Sequence, residues 1–333
     1  MRRVAARAAL VAAFVAAQKG HEPASCALQL GSASPPLTTI RVAMGFYGLA
    51  RHPCAAITMA AAFLDPLRLD AASSGILYDV DVLVAANLAK TSSSPRSGEV
   101  DQTLIQRGNY RLYRPCAVSA VDQASVDRDI APIVAGTLGK FGDAWAGQGA
   151  TARSKLAAGV GEGAATINYL RALASQKRLA ELIVAREKAR SIGGNATAAV
   201  SPFRYDVILS TRLDVLFVAP IEARHYRAMA GAPPPRGPRD RRQSDHRRKA
   251  GSKFLLLPSW AHAGYNDRFV LGDRESVLQV LSRIDYVVAH ANETQRCVRT
   301  YDARTCDPCR VPSEHCVRST VYALPSDGPP LRR

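Results

Sequence analysis

The sequence predicts an α/β domain built on an open, mostly parallel sheet flanked by helices, and three observations predict it. Residues 39–47 and 78–86 are near-continuous apolar runs, the pattern of parallel strands covered on both faces. The stretch YDVILSTRLDVLFVAP, Tyr205 to Pro220, opens as a third strand, with Val207, Leu209 and Thr211 alternating against Ile208, Ser210 and Arg212. Ahead of it, Ala164 to Arg190 spaces Ile167, Leu170, Leu173, Leu179, Leu182 and Ile183 at helical intervals among charged residues. A long amphipathic helix feeding a strand is the αβ step of such a sheet.

At 333 residues without an internal repeat, one catalytic-size domain is the simplest organisation. Thr39 to Tyr47 is the first strand. After His52-Pro-Cys54, the alanine-rich run from Ala55 to Leu64 reads as a helix ending near Asp65-Pro66. Tyr78 to Ala86 is the second strand, followed by the polar loop TSSSPRSG from Thr91 to Gly98. Leu112-Tyr-Arg-Pro115 reads as strand. Gly159, Gly161 and Gly163 lack both a preceding strand and the third spacing of a dinucleotide loop, so they are not one. Downstream, Leu255 to Leu257 reads as a short strand and Ser276 to Ile284 as a helix.

The formal charge of +16 raises nucleic-acid binding as an option, and its distribution argues against it. The first twenty residues carry Arg2, Arg3, Arg7 and Lys19 with no acid, and residues 231–253 carry eight basic residues against Asp240 and Asp245. The presumed core is therefore only mildly basic. Residues 231–252, nearly devoid of large apolar side chains, read as a disordered insertion, and no aromatic residue is interleaved there for base stacking. No specific nucleic-acid partner is expected.

The start, MRRVAARAALVAAFVAAQKG, has the plan of a secretory signal over residues 1–19: basic residues, an apolar run from Ala8 to Ala17, then Gln18-Lys19. That run falls short of the roughly 20 residues that span a bilayer, so membrane attachment arises only if the segment stays as a short signal anchor. An organelle transit peptide is the further alternative. Residues 20–38, with Pro35-Pro36, read as a Ser/Pro-rich stem or linker, 39–317 as the folded domain and 318–333 as a flexible tail. Asn195-Ala-Thr197 and Asn292-Glu-Thr294 are glycosylation acceptors in a lumenal chain, whether of the Golgi or the endoplasmic reticulum.

Of seven cysteines, Cys297, Cys306, Cys309 and Cys316 crowd near the C-terminus with His315 beside them. In an oxidising lumen they form two disulfides; the same spacing also suits a zinc knuckle. Cys26, Cys54 and Cys116 are left without an assignment.

The third strand delivers Arg212 and Asp214 to its carboxyl end, where open α/β sheets bind ligands. About fifty residues on, Trp260-Ala-His-Ala-Gly-Tyr-Asn-Asp-Arg-Phe-Val-Leu-Gly272 supplies a second polar cluster between Pro258 and an apolar run. A strand ending in Thr-Arg-Leu-Asp, a long connection, then Asn-Asp-Arg-Phe-x-x-Gly and a helix resembles nucleotide-sugar-dependent glycosyltransferases of the GT-A type, among them poorly characterised members in algae, plants and bacteria. Ile40-Arg-Val-Ala-Met-Gly-Phe-Tyr-Gly48-Leu-Ala-Arg51 is similar to the first strand and nucleotide-facing loop of that group, and Tyr78 to Asn87 to its second strand. The likeness covers most of residues 40–317, in patches.

The resemblance implies sugar transfer from a nucleotide-sugar donor to a glycan, protein or lipid acceptor. Such a reaction leaves a diphosphate whose charge a cation or an arginine must stabilise. Where many GT-A enzymes carry Asp-x-Asp, this chain reads Arg212-Leu213-Asp214. Asp214 then either holds Mn2+ or Mg2+ alone or contacts the donor, with Arg212 on phosphate; the alternative is an Arg212 ion pair with Asp214 or Asp206 closing the strand. The resemblance places Asn266, Asp267 and Arg268 at donor and acceptor, with Asp267 as base, or else Asn266 and Asp267 simply cap a turn. Glu314 matches a late acidic position and competes for the base role. His262 is a third ligand or a packing residue.

Gly45 and Gly48 let backbone approach a ligand, Tyr47 stacks on the base and Arg51 meets the diphosphate; otherwise the segment is a tight turn. Asp81, on a buried-looking segment, holds the nucleoside or is a satisfied carboxylate at a strand start. A catalytically degenerate carbohydrate- or polyanion-binding protein of the same fold is the competing function. A sulfotransferase is excluded for want of a Gly-rich phosphate loop after the first strand.

Overall fold

Each of the two apolar runs at the N-terminal side becomes a long strand, and the sheet grows outward from them. The computed structural model describes residues 26–31, 38–49, 54–88, 109–133, 164–193, 202–215, 217, 219–232, 255–256 and 268–285. Strands β1 (Leu28–Leu30), β2 (Thr38–Leu49), β3 (Ile76–Leu88), β4 (Ala117–Asp122), β5 (Val207–Arg212), β6 (Leu255–Leu256) and β7 (Phe269–Asp273) form one sheet. The order is β1-β3-β2-β5-β7-β6, with β4 also on β3.

The sheet is α/β as expected but mixed rather than mostly parallel. Pairings β4-β3, β3-β2 and β2-β5 are parallel, while β1-β3, β5-β7 and β6-β7 are antiparallel. The parallel pairs form the centre, where helices cover both faces and the strands read as unbroken apolar runs. The antiparallel strands are short and lie at the edges, so periodicity carries little trace of their direction.

Alternate residues of the central strands enter two cores. Val42, Met44, Phe46, Tyr78, Val80, Val82, Val84, Val207 and Leu209 pack on one face. That face is covered by a helix running from α1 (Cys54–Met59) through a π-helical turn (Ala60–Leu64) into α2 (Asp65–Ser74), and by α5 (Ala223–Met229). Aromatic rings fill it, with Phe46 and Tyr113 at 4.5 Å and Phe63 and Phe217 at 4.6 Å between centroids. On the opposite face Ala43, Tyr47, Leu83, Ala85 and Ile208 meet Leu179, Ala180 and Ile183 of α4 (Ala164–Gly193) and Val277 and Leu281 of α6 (Arg274–Leu281). A further helix, α3 (Gln123–Ile133), follows β4 and packs on α4.

Several local expectations change. The first helix does not stop at Asp65-Pro66: the backbone stays helical through Leu64 and Asp65, and Pro66 is taken up where the π-helical turn passes into α2. It ends at Gly75, whose φ of 69° caps α2 in the left-handed region. Leu112 to Pro115 is no strand: Asn109–Tyr113 is a 3-10 turn, and Arg114 follows at φ 46°. The stem expected over 20–38 contains β1, which pairs antiparallel with Tyr78 to Val80 of β3. The last helix begins at Arg274, capped by Asp273 accepting from the Ser276 amide at 3.0 Å.

Strands β1 and β4 share one edge of β3 end to end. Cys116 donates its amide to the Val82 carbonyl at 2.7 Å just before β4, and a disulfide joins it to Cys26 just before β1. This bridge closes a loop of 90 residues and pins the junction of the two half-edges. The signal-like start, the insertion from 233, Asn195, Asn292 and the four C-terminal cysteines lie outside the described residues. No helix among the described residues is long and apolar enough to cross a membrane.

Candidate functional site

The carboxyl ends of β2, β3 and β5 lie side by side, because Tyr47 pairs with Ala85 on one flank and Arg212 on the other. Tyr47 and Ile208 belong to the core beneath α4, so the two-residue period of a strand puts Arg212 and Asn87 on that face too. Arg212 grips Asp214 as a fork, Nε donating to Oδ1 at 2.8 Å and Nη2 to Oδ2 at 2.6 Å. Both are partly exposed, at 34% and 19% of their side chains, so the pair sits at the surface of the edge. The ion pair foreseen as closing the strand end is thus present.

Neighbouring loops are tied to the same point. The Leu213 amide donates to the Tyr47 carbonyl at 3.0 Å, and the Tyr113 hydroxyl to the Leu213 carbonyl at 2.8 Å. The Arg212 amide and the Thr211 hydroxyl both donate to the Arg268 carbonyl, at 3.2 Å and 2.9 Å. The end of the Asn-Asp-Arg segment therefore abuts Arg212. Asn266 and Asp267 themselves, with Arg51, His262 and Glu314, lie outside the described residues.

Other expected donor-binding residues take structural positions. Tyr47 is buried, and its hydroxyl accepts from Gln176 Nε2 of α4 at 2.8 Å. The space beside Gly45 is filled by Leu179 of α4: a Cβ there would lie 2.6 Å from Leu179 Cδ2. Gly45 therefore serves close packing of helix on sheet. Gly48, at φ 100° with open space around it, turns the chain out of β2 in a conformation that side chains disfavour.

Asp81 does not join these residues. It pairs with Ala43, near the middle of β2 and β3 and well short of Asn87, and is wholly buried. Tyr205 donates to its Oδ2 at 2.6 Å, Arg186 Nε at 3.1 Å and Arg190 Nη1 at 3.3 Å. Arg190 also donates to Asp79 at 2.7 Å and lies 3.9 Å over the Phe203 ring. Burial alone would lower the Arg190 guanidinium, but Asp79 and then Asp81 hold it above its ordinary value. Burial and Asp81 raise the Tyr205 phenol far above its own. Next to this cluster Glu187 forks onto Arg274 at 2.7 and 2.8 Å and accepts the Tyr205 amide at 3.0 Å. Asp81 is thus a satisfied strand carboxylate.

Two groups could be asked to hold a cation. Cys26, Asp81 and Cys116 place ligand atoms within 4.8 Å of one another. With the two sulfurs bonded together neither is a thiolate, and Arg186 and Arg190 already neutralise the carboxylate, so this cluster does not suit a metal as it stands. At Asp214 both oxygens already accept from Arg212, which leaves a guanidinium where a metal-binding carboxylate pair would be.

Sequence reasoning missed Asn87, Gln176 and Arg178. Arg178 of α4 donates to Asn87 Oδ1 at the end of β3. Burial lowers this guanidinium to about 10, with Asp129 and then Glu181 acting in the opposite direction. The signal was an arginine within the apolar side of an amphipathic helix, one residue before the buried Leu179.

The fold and this edge define an α/β chain with an open mixed sheet and a charged cluster where its central strands end. No family model, curated protein or solved structure matches the chain.

Proposed function

We propose that the chain is a glycosyltransferase of GT-A type, moving a sugar from a nucleotide donor to a glycan, protein or lipid acceptor in the secretory pathway. The observation that carries the reading is the Arg212–Asp214 fork at the carboxyl end of β5, with the Arg268 turn hydrogen-bonded to the same strand end. A guanidinium there is suited to stabilising the diphosphate that leaves when the anomeric bond breaks. Asp214 orients it, and because the pair is only half-buried, phosphate oxygens can reach it from solvent. If Mn2+ or Mg2+ takes part, Asp214 is the carboxylate to hold it, and the cation would supply charge neutralisation at the diphosphate. The Cys26–Cys116 disulfide supports an oxidising compartment, the Golgi or endoplasmic reticulum lumen, over an organelle reached by a transit peptide.

A second reading rests on the fork itself. Arg212 stands at the first position of the Asp-x-Asp pattern and neutralises the remaining carboxylate, as in a binding protein that has lost turnover. Donor hydrolysis across a panel of nucleotide sugars, with and without EDTA, separates the two. Turnover supports the transferase; a thermal shift without turnover supports the degenerate binder; neither a shift nor turnover with any donor overturns both. Inhibition by EDTA assigns a metal, and full activity in EDTA assigns the charge stabilisation to Arg212.

A further inference from the structure

Outside the Arg212–Asp214 fork, two buried clusters of charge are matched among the described residues. The Asp79–Asp81 network is neutralised by Arg186 and Arg190. Under α2, Asp70 is matched by Arg227 and by the Tyr78 hydroxyl at 2.6 Å. Arg178 differs from both. Its direct acceptor among the described residues is the neutral amide oxygen of Asn87, and its Nε is buried with no hydrogen-bond partner among them. Asp129 and Glu181, which act on it through space, are exposed on α3 and α4.

We propose that Arg178, held by Asn87 at the carboxyl end of β3, binds the diphosphate of a nucleoside diphosphate. This inference rests on the nucleotide-sugar reading above and deepens it. A guanidinium withdrawn from water without a carboxylate is unfavourable until an anion arrives, and its planar fork matches phosphate oxygens. It remains cationic at neutral pH even though burial lowers it to about 10. Position agrees with chemistry. Asn87 pairs with Leu49 at the end of β2, and Arg212 with Tyr47 two residues earlier, so both arginines address one edge from one face of the sheet. Two guanidinium groups on that edge suit two linked phosphates better than a single carboxylate. Asn87, bonded to Arg178 and lying on the strand rather than a loop, fixes the direction of the fork.

The test is calorimetric titration of the full chain with inorganic diphosphate and with uridine, guanosine and adenosine diphosphates. Arg178→Gln is expected to weaken binding of the best of these at least tenfold, and Arg178→Lys, which keeps charge without the fork, several-fold. Arg68→Gln, which breaks an exposed pair on α2, leaves binding unchanged and controls for net charge. Thermal melting checks each variant's fold; should the glutamine variant fail it, the lysine variant decides. Binding by the wild-type chain that both Arg178 variants retain overturns this subsite and leaves the nucleotide-sugar reading standing. Absence of binding of any diphosphate by the wild-type chain overturns that reading and the subsite together. Tight inorganic diphosphate with no gain from any nucleoside supports the anion site and removes the nucleoside from it.

Discussion

Helix α4 meets two charged clusters, one inside the sheet and one where its central strands end, and the two are built on opposite principles. Further back along the strands, Asp79 and Asp81 are nearly or wholly buried and every carboxylate faces arginine: Arg186 and Arg190 on α4, with Glu187 and Arg274 completing a neutral set. At the carboxyl ends, Arg212 holds a partly exposed partner, and the hydrogen-bond acceptor of Arg178 among the described residues is an amide, with Asp129 and Glu181 acting on it through space. Buried charge is tolerated where it is matched, and a guanidinium without a bonded carboxylate is the one with most to gain from an anion. The first cluster is closed on itself and the second is the one proposed for recognition, although one helix touches both.

The sharpest way to break this contrast is Asp81→Asn. It leaves Arg186 and Arg190 without their shared carboxylate oxygen, and loss of one partner from a buried pair costs about 3–5 kcal/mol. Urea unfolding measures it; a loss below about 1 kcal/mol would mean the cluster is not closed. Next, Cys116→Ser opens the 90-residue loop beside Asp81, with an expected loss of about 2–4 kcal/mol that reductant reproduces in the wild-type chain. Gly45→Ala drives a methyl into Leu179 at the middle of α4, and overpacking there costs about 1–3 kcal/mol. An unchanged melting temperature would show that Leu179 moves aside freely.

The fourth expectation is a pH dependence. Burial and Asp81 raise the Tyr205 phenol above its ordinary 10.0, so the folded chain keeps a proton that the unfolded chain releases. Stability is therefore full below about pH 10 and falls as the pH rises beyond it, by up to about 1.4 kcal/mol per pH unit for this group. Tyr205→Phe removes that part of the slope, while Tyr78 and Tyr226, also raised by burial, keep theirs. Smallest in stability is Asp214→Asn, under about 1 kcal/mol because the pair is partly exposed. Its donor turnover is expected to fall at least tenfold. Full retention of turnover would remove Asp214 from the site.

The contrast was only half legible in the sequence. Strand-length apolar runs announced β2, β3 and β5, and the pattern around Thr211 puts the charges that follow it at a sheet edge. Asp81 was visible as a carboxylate inside an apolar run, yet its partners on α4 are more than a hundred residues away, beyond any local pattern. Disulfide partners leave no trace in spacing, so Cys26 and Cys116 stayed unassigned, and β1 was hidden in a stretch that composition marks as a linker. Tyr47 and Gly45 look like loop residues facing a ligand, but pairing carries β2 through to Leu49 and buries both under α4. Periodicity says which residues leave the solvent; it does not say which helix will cover them.

The Gly45–Leu179 contact lies near the midpoint of a helix whose thirty residues span about 45 Å. A stiff rod pressed against its support at the centre behaves as a balance beam. Arg178, one residue from Leu179, sits at its fulcrum, so a tilt of the rod that moves the Arg186–Arg190 arm against the strands leaves Arg178 nearly where it was.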